Sequence, residues 1–153
     1  YKQQLMEKQR LKFSYDISEA HLKKAYKKAA TMEGATGEVL MQLLERRLDA
    51  QVIRMGFAKT TSAARQYVAH GHFEVNGTRS FSGSRLVRVG DVITVRTKSQ
   101  SHPQIKECLE NSESPAFVEV DKAKFSGKLI SIPSRDEISI PVTEQLVVEY
   151  YSR

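Results

Sequence analysis

Cysteine is almost absent: Cys108 is the only one in 153 residues. A lone thiol excludes an internal disulfide and any zinc site built on two cysteines of this chain. It fits a reducing compartment. Tryptophan is missing altogether, which excludes nothing. No apolar run approaches the ~18 residues of a membrane span, so no membrane partner is expected. The opening Tyr1-Lys2-Gln3-Gln4-Leu5-Met6-Glu7-Lys8 is not a signal peptide. It also lacks an initiator Met, so the chain is expected to be the ordered part of a longer one. Acidic residues are scarce in the middle third. Residues 51–100 hold eight Lys or Arg against two Asp or Glu, a charge of +6 that equals the net charge of the whole chain. Residues 1–50 carry +3 and residues 101–153 carry −3. A basic middle and an acidic final third suggest one face for a polyanion and another for something else.

Enough remains for a modest core, with 40% hydrophobic and 27% charged residues. The periodicity predicts an α+β chain. Residues 1–13 read as a polar helix, and Ser18 caps a second one that ends at Gly34. Thr36 restarts a helix whose apolar stripe, Leu40, Leu44, Leu48, Val52 and Met55, runs unbroken to Gly56. Thr60 caps a further helix that stops at Gly71. Strand signals begin at Phe73, and Asn76-Gly77 is a strong hairpin signal because both central residues of a type I′ turn need positive φ. A second hairpin is expected from Leu86–Val89 and Val92–Val95 around Gly90-Asp91. Residues 98–116 read as a linker with a short helix near Pro103. Strands follow at 117–121, 128–132 and 138–140, then a terminal helix over 143–151.

The chemistry-bearing residues favour binding over catalysis. Arg47, Gln51 and Arg54 lie at i, i+4 and i+7, and Ser62, Arg65 and Gln66 share the outer side of the next helix. Two short helices in tandem can align such faces so that Arg forks and amide groups meet phosphate oxygens, while the Thr60 helix start offers N–H groups to an anion. Solvated basic faces are the competing reading, and the charge concentrated in 51–100 weighs against it. His70 and His72 at i, i+2, without a nearby cysteine or carboxylate cluster, make a poor ligand set, so no metal is expected. Lys23, Lys24, Lys27 and Lys28, with Lys8, Arg10, Lys12, Tyr15 and Tyr26 near in sequence, suit a structured RNA or an ordinary solvated face. No Ser/His/Asp set, phosphate-cradling glycine loop or other paired-acid arrangement is present. No enzyme, cofactor or small-molecule substrate is expected.

An ordered series now carries a resemblance. It comprises Leu44-Glu45-Arg46-Arg47-Leu48-Asp49, Arg54-Met55-Gly56-Phe57-Ala58, Ala64-Arg65-Gln66-Tyr67-Val68-Ala69-His70-Gly71-His72, Val75-Asn76-Gly77 and Gly90-Asp91. With Lys8-Gln9-Arg10-Leu11-Lys12-Phe13, Thr36-Gly37-Glu38 and Leu146-Val147-Val148-Glu149-Tyr150-Tyr151-Ser152, it resembles the S-four family of small-subunit ribosomal proteins, bacterial and organellar type, over nearly the whole chain. The resemblance implies a helical domain of residues 1–46 completed by 144–153, with a mixed helix and β-hairpin RNA-binding module inserted at 47–143. It implies direct binding of small-subunit ribosomal RNA early in assembly, contact with the neighbouring S-five protein that affects decoding accuracy, and a place near the messenger RNA entry path. The setting would be the ribosome, in the cytoplasm or in an organellar stroma or matrix. The implied central RNA surface is Arg47, Arg54, Lys59, Thr61, Ser62, Arg65, Gln66, His70, Asn76 and Arg79. Lys2, Lys8, Arg10, Lys12, Lys23, Lys24 and Lys27 form a second one.

Several departures stand out, among them Ser84-Arg85-Leu86 where the family usually has Pro-Ser-Tyr. Thr61 occupies a position where the family usually has Arg, and Asp16 one where it commonly has Gly. The family's N-terminal extension, zinc-binding in some members, has no counterpart in this sequence, so no zinc site is carried over. Two alternatives share the central module. One is a stand-alone RNA-binding stress or recycling factor. The other is a pseudouridine synthase, in which Arg47-Leu48-Asp49 would carry the nucleophile.

Overall fold

The computed structural model describes the whole chain, Tyr1–Arg153. Its elements in chain order are α1 (Lys2–Tyr15), α2 (Glu19–Thr31), α3 (Thr36–Glu45), α4 (Leu48–Arg54), α5 (Thr61–Ala69), β1 (Phe73–Val75), β2 (Thr78–Arg79), β3 (Val92–Val95), α6 (Pro103–Glu110), β4 (Val118–Asp121), β5 (Ser126–Leu129) and α7 (Glu144–Tyr151). They divide between two compact units, residues 1–45 with 133–153, and residues 46–132. The α+β class is as expected.

The first unit is helical. α1 packs on α7, and α3 on both α2 and α7, burying Leu11, Tyr15, Leu22, Ala29, Leu40, Met41, Leu44 and Val147. Asp16 ends α1 in the left-handed region at φ 49°, a conformation that glycine adopts most readily. Ser18 caps α2 by accepting from the His21 amide at 3.2 Å. Burial opposes ionisation of Glu19, but the Lys8 ammonium at 2.8 Å and the Tyr151 hydroxyl at 2.7 Å outweigh it and hold the carboxyl below its ordinary value. Burial, with the same bond second, pushes the Tyr151 phenol up.

Residues 138–140 form no strand. The Arg135 guanidinium donates to the carbonyls of Ile138, Ile140 and Val142 at 2.7, 2.8 and 2.8 Å and to Glu144 at 2.9 Å. One side chain thereby satisfies acceptors that a partner strand would otherwise take.

The second unit wraps α4, α5 and α6 around a five-stranded antiparallel sheet of order β2-β1-β3-β5-β4. Its core holds Leu48, Val52, Met55, Phe57, Ala64, Val68, Phe73, Val75, Val87, Ile93, Val95, Ile105, Leu109, Phe117 and Leu129. The Asn76-Gly77 hairpin forms as expected, with φ of 52° and 85° at its two central residues.

Two expectations fail here for one reason. The helix from Thr36 is broken, because Arg47 is extended at ψ 145° and α4 begins afresh after it. Backbone groups at the break pair instead with residues 83–87. The Leu48 amide donates to Arg85 at 2.8 Å, the Asp49 amide to Gly83 at 3.1 Å, and the Val87 amide to Arg46 at 2.8 Å. Residues 86–89 are thus drawn to α4, with a single β-bridge between Arg47 and Leu86. They do not hairpin with β3, whose two edges are filled by β1 and β5.

Candidate nucleic-acid interface

The second unit is organised around one buried carboxylate. Asp49 is 2% exposed and accepts four hydrogen bonds. Arg47 contributes two through Nε and Nη2, both at 3.1 Å. The Ala50 amide gives a third at 2.8 Å and Arg65 Nε a fourth at 2.9 Å. Arg47 is buried in this fork, whereas the Arg65 side chain keeps 34% of its surface. Asp49 therefore ties α4 to α5 and fixes one edge of the Arg65 guanidinium while the remainder reaches solvent. As an interior anion between two guanidinium groups it neutralises them and sets their geometry. A nucleophile would need room for a substrate at the carboxylate, and here both oxygens are enclosed.

The α5 start is built as expected. Thr60 Oγ1 accepts from the Ala63 amide at 3.1 Å, which leaves the first N–H groups of the helix directed outward. Lys59 and Ser62 stand exposed beside it and Thr61 is half-buried, while Gln66 and His70 are exposed further along. Arg54 is half-buried in the last turn of α4. Arg79 is exposed on β2, and its Nε donates to the Gly71 carbonyl at 3.3 Å.

Several residues assigned to RNA have other work in the fold. Arg47 and Gln51 are buried, because the break after Glu45 turns their side of α4 inward. Asn76 is exposed, but its amide nitrogen donates to Asp91 at 2.9 Å and its oxygen accepts from the Val92 amide at 2.9 Å. It is committed to holding the hairpin. In the helical unit Lys8 is only 5% exposed; it pairs with Glu19 at 2.8 Å and lies over the Tyr150 ring. Arg10 is exposed and meets Glu7 at 3.2 Å. Lys2, Lys23, Lys24 and Lys27 are exposed and Lys12 is half-buried. Tyr15 is buried and Tyr26 stacks on Tyr151 at 5.1 Å, so both aromatics serve packing.

The reading from sequence named Arg79 but assigned no RNA contact to residues 80–88 beyond it. Arg85 and Arg88 are exposed, and Phe81 keeps 55% of its surface. Residues 76–90 contain three arginines and no acid, a signal visible in the sequence once the segment is treated as one surface. A second basic cluster surrounds His72. Burial lowers its pKa, and the charges of His102, His70, Arg79 and Arg96 lower it further. Its Nδ1 lies 2.7 Å from Ser99 Oγ. No group of His, Cys, Asp and Glu in the chain is arranged to hold a metal ion.

Residues 46–93 match the S4 domain. Residues 1–45 match the ribosomal protein S4/S9 N-terminal domain. A small ribosomal subunit protein uS4 of Thermoanaerobacter sp. (strain X514) is 49% identical over 154 residues, covering 100% of this chain and 75% of that protein. The uS4 of Rubrobacter xylanophilus is 46% identical over 154 residues, with 100% and 77% covered. That of Fusobacterium nucleatum is 45% identical over 153 residues, with 100% and 78% covered. Identity of this level across the full chain, with both domain models matched, shows that the chain belongs to the uS4 family of small ribosomal subunit proteins.

Proposed function

We propose that the chain acts as a non-catalytic RNA-binding scaffold in the ribosome, holding small-subunit ribosomal RNA against α4, α5 and residues 79–88. A member of this family is a structural constituent of the small subunit and binds ribosomal RNA through its S4 domain. The observation that carries the surface assignment is the Asp49 fork. A buried anion fixes Arg65 at the surface of a unit whose central residues hold eight cations and two acids. Arg54, Lys59, Ser62, Arg65, Gln66, His70 and Arg79 form the contact set, joined by Arg85 and Arg88. Thr61 supplies a hydroxyl and an amide where a longer cation would reach a phosphate. Arg47 acts from behind, through Asp49.

The exposed Lys2, Lys23, Lys24 and Lys27 of the helical unit are a second phosphate-binding surface. The match of residues 1–45 to the ribosomal N-terminal domain favours a ribosomal constituent over a stand-alone factor. The acidic final third supports a protein neighbour there, and the S-five protein and the messenger entry path are the neighbours this reading assigns. Hydroxyl-radical footprinting of small-subunit RNA with the purified chain tests it. A compact protected region that disappears on replacing Arg54 and Arg65 together is the expected result. Unchanged protection by the folded double variant would sink the surface assignment.

A further inference from the structure

Phe81 is the only aromatic residue between Asn76 and Gly90. Exposed apolar side chains occurring singly are ordinary; this one has unusual surroundings. The preceding Ser80 is 7% exposed, and its amide donates to the Phe73 carbonyl at 3.2 Å. The ring is therefore displayed from a fixed point of the backbone. The Arg79 guanidinium carbon lies 5.0 Å from the ring centroid while its Nε stays on the Gly71 carbonyl. Gly71 has φ +78°, and a Cβ there would overlap both Arg79 and the edge of Phe81. Glycine is thus what lets the arginine and the ring settle on the α5 terminus. Two residues on, Gly83 lies against Asp49 and the Arg65 stem. Phe81 consequently stands between the Arg65 fork and the cluster of Arg79, His70, His72 and Arg96.

We propose that Phe81 and Arg79 form a stacking site for one unpaired base of the bound RNA, an inference that rests on the RNA reading above. A phenyl ring has no hydrogen bond to offer a phosphate, but the face that Arg79 does not cover suits the π-face of any base, and the arginine over the ring serves the adjoining phosphate. A base inside a duplex is already stacked, so the site selects a nucleotide in a loop, bulge or junction.

The chain's lack of tryptophan provides the test. In F81W the introduced indole is the sole tryptophan, and stacking on a base quenches it. Titration of F81W with small-subunit ribosomal RNA should quench the emission, and a fully paired RNA duplex should not. F81A should bind the ribosomal RNA about tenfold more weakly, as loss of one stacked base implies. F81L should behave like F81A, and the dependence of binding on salt should stay as in the unsubstituted chain because no charge has changed. Wild-type affinity in F81A or in F81L, or unquenched F81W, overturns the stacking site; so would a ring that docks a protein, which leaves RNA affinity and emission unaltered. If R54A/R65A weakens binding in the same series, the RNA reading survives that result. Failure of the unsubstituted chain to bind the RNA overturns both.

Discussion

Replacing Asp49 with asparagine should destabilise the 46–132 unit far more than a change of one atom suggests. The carboxylate is 2% exposed and Arg47 8% exposed, so their charges have little water to fall back on. Asparagine keeps the volume but removes the negative charge and turns an N–H donor toward guanidinium donors. Breaking a buried pair by neutralising one partner costs about 3–5 kcal/mol, because the other charge is left uncompensated. The Arg65 arm adds little to this, since that side chain is a third exposed and solvent screens it. For a unit of this size each kcal/mol is worth ~4–8 °C, so its melting temperature should fall by at least about 12 °C. Amide hydrogen exchange followed through urea locates the loss. The Leu48, Asp49 and Val87 amides, which bond across to residues 46 and 83–85, should exchange with the lowered stability. Adding Arg47→Met to Asp49→Asn removes the stranded cation and should restore more than half of the loss, a non-additivity the double-mutant cycle reads directly. A loss below about 1 kcal/mol for Asp49→Asn alone, or a double variant less stable than the single one, would refute the reasoning.

Other consequences follow from particular contacts. Thr60→Ala removes the acceptor for the Ala63 amide and should cost about 1 kcal/mol in urea unfolding, whereas Thr60→Ser should cost little. Gly71→Ala meets both a positive φ and the space held by Arg79 and Phe81. It should lose the ~1 kcal/mol of an ordinary left-handed glycine site, since the ends of both side chains can move aside, and weaken RNA binding by displacing them. Glu19 has a folded-state pKa below its ordinary value, so its contribution to stability is present above the unfolded value, roughly 4.3, and is lost as pH falls through the folded value. Between pH 5 and 3, Glu19→Gln should therefore lose less stability than the unsubstituted chain; equal loss in both would remove Glu19 from the acid response.

Local signals explain what could be read before the structure. Thr60 and Gly71 bound α5 because a cap and a stop act within a turn of themselves, and Asn76-Gly77 sets a hairpin by its own φ preferences. The apolar stripe from Leu40 to Met55 misled, because the break at Arg46-Arg47 is imposed by residues 83–87, nearly forty positions away. That pairing is also what buries Arg47 and Gln51. It converts Asp49 from an isolated acid in a helix into the anchor of Arg65. Lys8 was misplaced for a similar reason: its partners, Glu19 and Tyr150, are not its helix neighbours. Phe81 was legible as an aromatic in a basic, acid-free segment, but its relation to Arg79 and Gly71 needed coordinates. The family resemblance, which rested on ordered motifs, carried the function further than periodicity did.

The most direct test of the RNA surface is the affinity for small-subunit ribosomal RNA over a range of salt, measured for the unsubstituted chain and for R54A/R65A. If both arginines meet phosphates, the double variant binds more weakly and the slope of log affinity against log salt becomes shallower by about 1.4–1.8. A folded double variant with the same affinity and the same slope would contradict the account.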